Sequence, residues 1–377
     1  MKILYVIGMF YPSQAGGPSS AISWLVKYIR SQGIDTKVVT TCYDIDADTN
    51  IKPDVWIKNE FGDVCYHSFY SIKLPVRMTL SAIRELKNVD IVHLSSIFHP
   101  PCLTVAVFAL LKRKTIFWDP GGELAEEALR FGYLKKRLYL KLFRTIVKNK
   151  AYYHTTSDRE ASDVRKHIHP NANLFEAPNY IEKIPREEAP TKKQLLFMGR
   201  LHPIKGLDNL LKAVALSEQF MTSEFTLVIA GSGENAYINY LEHMAVELKL
   251  DSKVTFIGHV TGVDKYRLYA ESYFLILSSH SENFANVVTE SLSQGTPAIA
   301  SKGTPWKILE DYCAGFYCSN DPQTLAMTID RALSLDFEEY LKYRQNAYGL
   351  LVNNFDMDSC GHRWVSAYRT SLESDKA

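Results

Sequence analysis

The chain alternates between short apolar runs and longer stretches whose apolar residues recur with a helical period. In the first half, runs of strand length and composition lie at residues 2–9, 36–41, 90–94, 115–118 and 151–155. Helical spacing lies between them, at residues 19–31, 80–86 and 103–111. Strands that alternate with helices in this way predict βαβ units and a parallel sheet.

The same alternation starts again after a stretch rich in proline and charge. Strands are predicted at residues 194–198, 226–230, 254–257, 274–277 and 297–301, and helices at 207–217, 235–248, 264–270 and 286–294. The fold class is therefore α/β, with two Rossmann-like, doubly wound domains. A ligand cleft is expected between them, facing the carboxyl ends of both sheets.

The breaker-rich stretch sets the expected domain boundaries. We predict a first domain at residues 1–178, a linker at 179–190 and a second domain at 191–355. The remaining residues, 356–377, are expected to form a helix that packs back on the first domain. This division agrees with the usual size of domains in a chain of this length.

Composition and charge narrow the class of protein without changing this picture. The 377 residues balance 43 Lys and Arg against 42 Asp and Glu, so nothing demands a nucleic-acid partner. The six cysteines lack a CxxC pair, which favours reduced thiols over disulfides or a zinc site. The apolar run at 3–10 fits a buried first strand better than a signal peptide, and no run approaches the roughly 20 apolar residues of a spanning helix. We therefore expect a cytoplasmic protein.

The strongest chemical signal is a pair of glutamates, Glu282 and Glu290, with seven residues between them. Glu282 follows an apolar strand, and Glu290 lies in the first turns of the next predicted helix. Carboxylates at this edge of a sheet can accept hydrogen bonds from sugar hydroxyl groups. The backbone N–H groups of the residues that open the helix, Asn283, Phe284, Ala285 and Asn286, can hold a phosphate, because the first amides of a helix lack intrahelical partners.

A second signal is the cationic loop that holds Arg200 and Lys205, directly after the strand at 194–198. Arg200 offers planar donors suited to a phosphate and Lys205 a mobile point charge. Together they could neutralise a leaving nucleoside diphosphate without a metal ion. Gly16 and Gly17, after the first strand, would let the backbone approach a ligand closely.

These residues resemble the retaining glycosyltransferases of the GT-B fold, in the large family 4 group with its E-x7-E motif. The resemblance is carried by Glu282 to Glu290, the Gly-Thr-Pro segment at 295–297, and the G-R-x4-K-G stretch from Gly199 to Gly206. It implies a nucleotide-sugar donor and retention of the anomeric configuration. The implied acceptor is a saccharide or lipid-linked saccharide, in surface polysaccharide biosynthesis.

The resemblance also implies roles for single residues. Glu282 would bind donor hydroxyl groups and Glu290 would accept from the ribose. The Gly16–Gly17 loop would face the donor phosphates, while the backbone around Gly231 and Val260 would line the nucleobase pocket. No metal or other cofactor is expected, since the positive charges would stabilise the leaving group.

The first domain gives a weaker indication of catalytic residues. Family members often carry a histidine after the strand at 115–118, whereas this chain has Asp119 there. We expect Asp119 to contact the acceptor hydroxyl group. Glu123, His93 and His99 are alternatives, although a histidine at a strand end is more often structural.

Residues 130–150 hold eight basic residues and no acidic ones, with leucines at helical spacing. Such a helix could lie on an anionic membrane surface through Lys135, Lys136, Arg137 and Lys141, which would make the protein peripheral on the inner face of the cytoplasmic membrane. The alternative is a helix whose apolar stripe enters the core.

Two other functions stay open at this point. One is a nucleotide-sugar epimerase or hydrolase of the same fold, which would need no acceptor. The other is a non-catalytic partner subunit that binds a nucleotide sugar, an idea motivated by Asp119 in place of the usual histidine.

Overall fold

A computed structural model of the protein describes residues 1–13, 16–45, 49, 51–69, 71, 74–130 and 132–375. The chain forms two compact units. The first consists of Met1–Glu182 together with Met357–Ala377, and the second consists of Lys183–Asp356. Both are α/β units, so the predicted fold class is confirmed.

The first unit is built around a sheet of eight strands. The strands are β1 (Lys2–Val6), β2 (Asp35–Thr41), β3 (Trp56–Asn59), β4 (Gly62–His67), β5 (Ile91–Ser95), β6 (Thr115–Asp119), β7 (Tyr152–Thr155) and β8 (Asn173–Glu176). Their order is β3-β4-β2-β1-β5-β6-β7-β8, with all pairs parallel except β3 against β4. The helices are α1 (Gly17–Ser31), α2 (Val76–Glu85), α3 (Pro100–Leu111), α4 (Glu126–Arg130), α5 (Tyr133–Ile146) and α6 (Asp158–His167), with a 3₁₀ turn at Leu86–Asn88.

The second unit has a six-stranded, wholly parallel sheet. Its strands are β9 (Gln194–Met198), β10 (Thr226–Ala230), β11 (Val254–Gly258), β12 (Phe274–Leu277), β13 (Ala298–Ser301) and β14 (Gly315–Cys318), in the order β11-β10-β9-β12-β13-β14. Its helices are α7 (Leu207–Leu216), α8 (Glu218–Thr222), α9 (Asn235–Glu247), α10 (Gly262–Glu271), α11 (Asn286–Ser293), α12 (Ile308–Asp311), α13 (Pro322–Leu333) and α14 (Phe337–Asn354), with a 3₁₀ turn at Pro203–Lys205.

Two last helices, α15 (Met357–Cys360) and α16 (His362–Ser374), belong to the first unit. The Tyr368 hydroxyl group of α16 lies 3.4 Å from that of Tyr5 on β1 and 2.7 Å from Nδ1 of His93 on β5. Trp364 packs on Phe117 of β6, with ring centroids 6.4 Å apart. Aromatic packing of this kind buries the terminal segment against the sheet.

The predicted linker is not a free segment. Tyr180 and Ile181 are buried in the first unit. Beyond the crossing at 182–183, the buried Gln294 fixes the chain to the second unit: its Oε1 accepts from the Glu187 amide at 2.8 Å, and its Nε2 donates to the Pro185 carbonyl at 3.2 Å. Proline and charge identified a boundary, but the side chain that holds this segment lies more than a hundred residues away.

Several elements that the pattern did not predict complete the two sheets. They include the β3–β4 hairpin, β8 and β14, most of which are short edge strands with mixed polarity. The strand predicted at residues 2–9 ends at Val6, where the chain turns. Within the described parts of the chain, no helix is long and apolar enough to cross a membrane.

Candidate active site

Loops at the carboxyl ends of the second sheet are held in close backbone contact. The Leu201 amide donates to the Ser232 carbonyl at 2.7 Å, and the Gly231 amide donates to the Gly258 carbonyl at 2.7 Å. Gly231 has φ +150°, and a Cβ there would collide with the Gly199 carbonyl oxygen. A glycine is required at this position because two loops touch there, which is a packing role independent of any ligand.

The side chains of Lys205 and Glu282 contact each other at the carboxyl edge of the second sheet, although 77 positions separate them in sequence. The Lys205 ammonium group donates to Glu282 Oε1 at 2.5 Å, and the Ser279 hydroxyl group donates to the same oxygen at 2.7 Å. Their side chains are 20% and 12% exposed, so the pair is largely shielded from solvent but reachable. No motif or spacing indicates Ser279 from sequence alone.

Backbone hydrogen bonds fix the position of this pair. The Glu282 amide donates to the Gly303 carbonyl at 3.0 Å, and the His280 amide donates to the Ile204 carbonyl at 2.8 Å. The Ser278 hydroxyl group donates to the Lys205 carbonyl at 2.9 Å. The loops after β9, β12 and β13 therefore form one connected surface.

Arg200 follows Gly199 in the loop after β9 and is exposed. Its neighbour Leu201 points the other way and is buried in the core. Among the described residues, no ion pair joins Arg200 to Glu282 or Glu290. The structure therefore brings Lys205 to Glu282 and leaves Arg200 at the surface of the same loop.

Helix α11 begins at Asn286, as the sequence predicts, and is almost wholly buried. Ala285 before it has φ +71°, a left-handed conformation that costs a non-glycine residue about 1 kcal/mol or more. The Phe284 side chain lies in the core against Trp306, with ring centroids 5.2 Å apart, and its carbonyl accepts from the Trp306 indole N–H at 2.5 Å. Phe284 anchors the start of the helix, so its side chain is not available to a ligand.

Glu290 lies midway along α11 and is 4% exposed. Lys265 Nζ donates to its Oε1 at 2.6 Å, and the Tyr269 hydroxyl group donates to its Oε2 at 2.9 Å. Both donors belong to α10, which follows the turn that contains the half-buried Val260. Sequence reasoning missed Lys265 and Tyr269, since neither belongs to a motif.

In the first unit, Gly16 and Gly17 are exposed at the start of α1. Gly16 has φ +91°, which favours glycine, and a Cβ there would meet nothing within 4 Å. The preceding residues 14 and 15 lie outside the described residues. The glycine loop is thus open, in contrast to the tightly packed loop around Gly231.

Asp119 ends β6 and is 25% exposed, and its Oδ1 accepts from the Gly121 amide at 3.1 Å. The same oxygen lies 3.7 Å from Nδ1 of the buried His154, a separation that gives an ion pair rather than a hydrogen bond. Burial would raise the pKa of Asp119, but His154 outweighs it and lowers the pKa below the usual value. Burial would likewise lower the pKa of His154, and Asp119 instead raises it.

Two carboxylates, the half-buried Glu123 and the buried Glu160, hold the loops beside Asp119. Glu123 accepts from the Ser96 hydroxyl group at 2.7 Å and from the amides of Ile97 at 2.7 Å and Phe98 at 3.0 Å. Glu160 accepts from the Gly122 amide at 2.7 Å and from Thr156 at 2.8 Å through the amide N–H. Burial raises the pKa of both carboxyl groups.

These contacts decide among the alternatives for a catalytic residue in the first unit. Glu123 is occupied by backbone donors, and His93 is buried between Tyr5 and Tyr368. His99 packs its ring against Gly8, and its Nδ1 lies 3.6 Å from the Cys102 sulfur. Asp119 is the candidate whose carboxylate is partly exposed and accepts from a single backbone amide.

Helix α5 carries an exposed apolar ridge. Leu134, Leu138 and Leu142 are 78%, 72% and 53% exposed, while Leu140 and Phe143 on the opposite face enter the core. The expectation that the leucine stripe could enter the core is therefore wrong.

The cations of α5 do not all lie beside this ridge. Lys135, Arg137 and Lys141 are exposed. Lys136 turns inward instead: its ammonium group donates to the Ala128 carbonyl at 2.6 Å and lies 4.9 Å from the centroid of the Phe98 ring. Lys136 therefore does not belong to the outward surface for which it was proposed.

Comparison with known proteins identifies a family that matches part of the chain. The family of glycosyl transferases group 1 matches residues 180–350. An uncharacterized glycosyltransferase of Methanocaldococcus jannaschii is 30% identical over 185 residues, which is 48% of this chain and 46% of that protein. The chain spans less than half the length of the curated relatives it matches.

Solved structures of similar fold cover nearly the whole chain. Sucrose-phosphate synthase from Thermosynechococcus elongatus has a TM-score of 0.77 at 17% identity over 99% of both chains. HepE of Anabaena in complex with UDP and glucose has a TM-score of 0.76 at 16% identity, over 98% of this chain and 100% of that one. At these identities the likeness shows the GT-B fold. The chain thus has the GT-B fold, and its residues 180–350 match the family of glycosyl transferases group 1.

Proposed function

We propose that this protein is a retaining glycosyltransferase that moves a sugar from a nucleotide-sugar donor to a saccharide or lipid-linked saccharide acceptor. The observation that carries the proposal is the cluster of Lys205, Ser279 and Glu282, with Glu290 eight positions after Glu282. These residues occupy loops and a helix at the carboxyl edge of a parallel sheet, where α/β folds bind their ligands.

The chemical step requires that the bond between the sugar's anomeric carbon and the diphosphate oxygen breaks, with the electron pair leaving on the oxygen. Lys205 would stabilise the charge that develops there, together with Arg200. The acceptor oxygen would bond to the anomeric carbon on the same face, and its proton would pass to the departing diphosphate. No divalent cation is needed in this scheme because the protein supplies the positive charge.

The pairing of Lys205 with Glu282 suits a site that binds donor and leaving group in turn. An ammonium group has three N–H donors, so Lys205 can keep its contact with Glu282 and also contact a phosphate. Glu282 retains lone pairs for sugar hydroxyl groups. Asp119, the partly exposed carboxylate at the end of β6, would contact the acceptor hydroxyl group.

The first test is a thermal-shift screen with UDP-, GDP-, ADP- and dTDP-linked sugars, since a ligand that binds the native state raises its Tm. UDP-glucose is a sensible first donor because a neighbour of the same fold was solved with it. The anomeric configuration of the product, read by NMR with saccharide acceptors, tests retention. An inverted product, or release of an epimerised sugar without acceptor, would overturn the proposal.

The α5 ridge supports a second part of the proposal, a peripheral site on an anionic membrane. Exposed leucines can enter the headgroup boundary, and α5 has five basic and no acidic residues. A lipid-linked acceptor would be reached from such a surface, as expected in surface polysaccharide biosynthesis at the inner face of the cytoplasmic membrane.

Reversing the charge of Lys135, Arg137 and Lys141 to Glu should weaken binding to phosphatidylglycerol-containing vesicles by about 100-fold or more, at roughly 1 kcal/mol per basic residue. Co-sedimentation with and without phosphatidylglycerol measures this. A triple variant with the same charge change at Lys249, Lys307 and Lys342, which are exposed in the second unit, is the control. Absence of vesicle binding by the unchanged protein would contradict the membrane site.

A further inference from the structure

His154 is a buried histidine near the carboxyl end of β7, and its two ring nitrogens face different partners. Nε2 donates to the Ala177 carbonyl at 2.8 Å, and since a carbonyl oxygen only accepts, Nε2 carries a hydrogen. Nδ1 faces Asp119 Oδ1 at 3.7 Å. A neutral ring in this tautomer would turn the lone pair of Nδ1 toward a carboxylate, whereas a protonated ring presents an N–H group there. The contacts therefore favour an imidazolium.

The other ionisable groups around His154 also favour a positive charge on its ring. Burial would lower the pKa of His154, but Asp119 and then Glu160, on α6, raise it above the usual value. His93 on β5 is neutral, because burial lowers its pKa to about 3. Tyr368 of α16 is neutral as well, since burial raises the pKa of its phenol well above the usual value. Two carboxylates thus act on the imidazole, and neither His93 nor Tyr368 opposes them with a charge.

Aromatic side chains close the inner side of the imidazole. The rings of Trp364 on α16 and Phe175 on β8 lie 4.6 Å and 6.0 Å from the His154 ring, centroid to centroid. They also pack on each other, with centroids 4.7 Å apart. These rings keep water from the imidazole on this side, and charges interact more strongly where water is excluded. The charge of His154 is therefore balanced by Asp119 rather than by solvent.

The charged residues next to these two rings in the chain are engaged elsewhere. Arg363 donates to the Tyr180 hydroxyl group at 2.9 Å and to the Glu176 carbonyl at 2.8 Å. The Glu176 carboxylate lies 3.5 Å from a guanidinium nitrogen of Arg165. The elements that pack on the imidazole therefore hold their own charges in other pairs.

Asp119 has one oxygen turned to these inner groups and one that is left over. Oδ1 accepts from the Gly121 amide at 3.1 Å and faces His154. Oδ2 accepts no hydrogen bond from the residues that the structure describes, and the side chain is 25% exposed. An ionised carboxylate has lone pairs on both oxygens. Oδ2 is therefore available to a hydroxyl donor.

We propose that His154 is a positioning residue for the transfer step. As a buried imidazolium it keeps Asp119 ionised and holds Oδ1, which leaves Oδ2 to accept a hydrogen bond from the attacking hydroxyl group of the sugar acceptor. This inference rests on the proposed function. A hydrogen bond to an ionised group is about twice as strong as one between neutral groups, so the charge of Asp119 decides how firmly the hydroxyl group is held. The hydroxyl proton passes to the departing diphosphate, and Asp119 keeps its charge throughout.

The first measurement needs no ligand. Nitrogen-15 NMR of the full chain with labelled histidine side chains reports the ionisation of His154, whose signals are assigned with His154→Gln. At about pH 6.5, where an ordinary histidine is half protonated, His154 should carry a hydrogen on both nitrogens. Asp119→Asn should lower the pKa of His154, because it removes the nearest negative charge. A neutral His154 in the unchanged protein at that pH would overturn the inference.

The second measurement is the pH dependence of kcat/KM for a methyl glycoside as acceptor, with the donor found in the thermal-shift screen. His154→Gln keeps an N–H donor for the Ala177 carbonyl but carries no charge. Without the imidazolium the pKa of Asp119 rises, so the variant should lose activity at a higher pH than the unchanged protein as the solution is acidified. Where the two profiles differ most, the variant should be about 5- to 10-fold less active, the difference between a charged and a neutral hydrogen bond.

His362→Gln is the matched control, because His362 is an exposed histidine of α16. It should leave the pH profile unchanged. A merely structural role for His154 would lower kcat/KM of His154→Gln by the same factor at every pH, and that result would overturn the inference.

Failure of the inference and failure of the proposed function give different results. A neutral His154, or a profile of His154→Gln that is parallel to that of the unchanged protein, overturns the inference and leaves the transferase standing. A chain that binds no nucleotide sugar and transfers none overturns the proposed function itself, whatever the charge of His154.

Discussion

Both units place glutamates at the carboxyl edge of a parallel sheet, but they satisfy them differently. In the first unit, Glu123 and Glu160 accept mainly from backbone amides of neighbouring loops. In the second unit, Glu282 and Glu290 accept from side chains, above all from lysines. The residue type and the place in the fold are the same, while the donors differ.

This difference separates a structural carboxylate from one available for binding. A carboxylate that holds several backbone amides cannot release them without exposing buried donors, which is costly. A lysine ammonium group on a flexible stem can move or share its donors when a ligand arrives. The glutamates of the second unit therefore can change partners, and those of the first cannot.

Asp119 is intermediate between a structural carboxylate and one that is available for binding. It is partly exposed and its partner, His154, is buried. The buried His154 thus orients the Asp119 carboxylate on one side, and the solvent-exposed side can contact an acceptor hydroxyl group. Asp119 is the residue through which the first unit could take part in the chemistry.

The largest effect should come from Lys205. Lys205→Ala should reduce kcat by about 100-fold or more, as for loss of a preorganised donor to a charged transition state. Arg200→Ala should show a loss of the same order. Steady-state kinetics with the preferred donor measures both, with Lys193→Ala as the control, because Lys193 forms an exposed pair with Glu224 in the same unit. Near-normal kcat of Lys205→Ala would contradict the distinction between lysine-paired glutamates that serve binding in the second unit and amide-bound glutamates that serve structure in the first.

The next effect concerns stability in the first unit. Glu123→Ala removes the acceptor of the Ile97 and Phe98 amides, and leaving these donors without it should cost about 2–3 kcal/mol of unfolding free energy. Glu127→Ala is the control, since Glu127 forms a surface pair with Arg159 worth less than about 1 kcal/mol. Denaturant titration measures the difference. The Glu123 variant should still bind a nucleoside diphosphate, and a loss of binding with unchanged stability would contradict the structural role.

The smallest effect is a pH dependence at Asp119. Because Asp119 raises the pKa of His154 above 6.5, the pair adds stability that is fully present below that value and is lost as pH rises through the His154 pKa in the folded protein. Asp119 has a lowered pKa, so its own contribution is lost only as pH falls to strongly acid values. The stability difference between the unchanged protein and His154→Gln should therefore shrink as pH rises above about 6.5, the reference value for histidine.

Denaturant titrations of both proteins across this pH range measure that difference. A pH-independent difference would mean that His154 contributes only through its hydrogen bond to the Ala177 carbonyl.

Part of the site could be predicted from sequence because it depends on local order. Glu282, Glu290 and the start of α11 follow from a strand, a loop and a helix that are contiguous in the chain. Lys205 could be predicted as a site residue because it lies in the loop directly after a strand. Lys265, Tyr269 and His154 could not, because each meets its carboxylate only through packing. Ser279 lies three residues before Glu282 but belongs to no motif.

The sequence by itself determined the α/β class, the two parallel sheets and the segments that end at their carboxyl edges, because the periods of apolar residues are local properties of strands and helices. Only the tertiary structure decided which charges pair, as for Lys205 with Glu282, and which residues stay exposed, as for Leu138 and Arg200. Pairing and exposure depend on distances between segments far apart in the chain, and neither period nor composition encodes those distances.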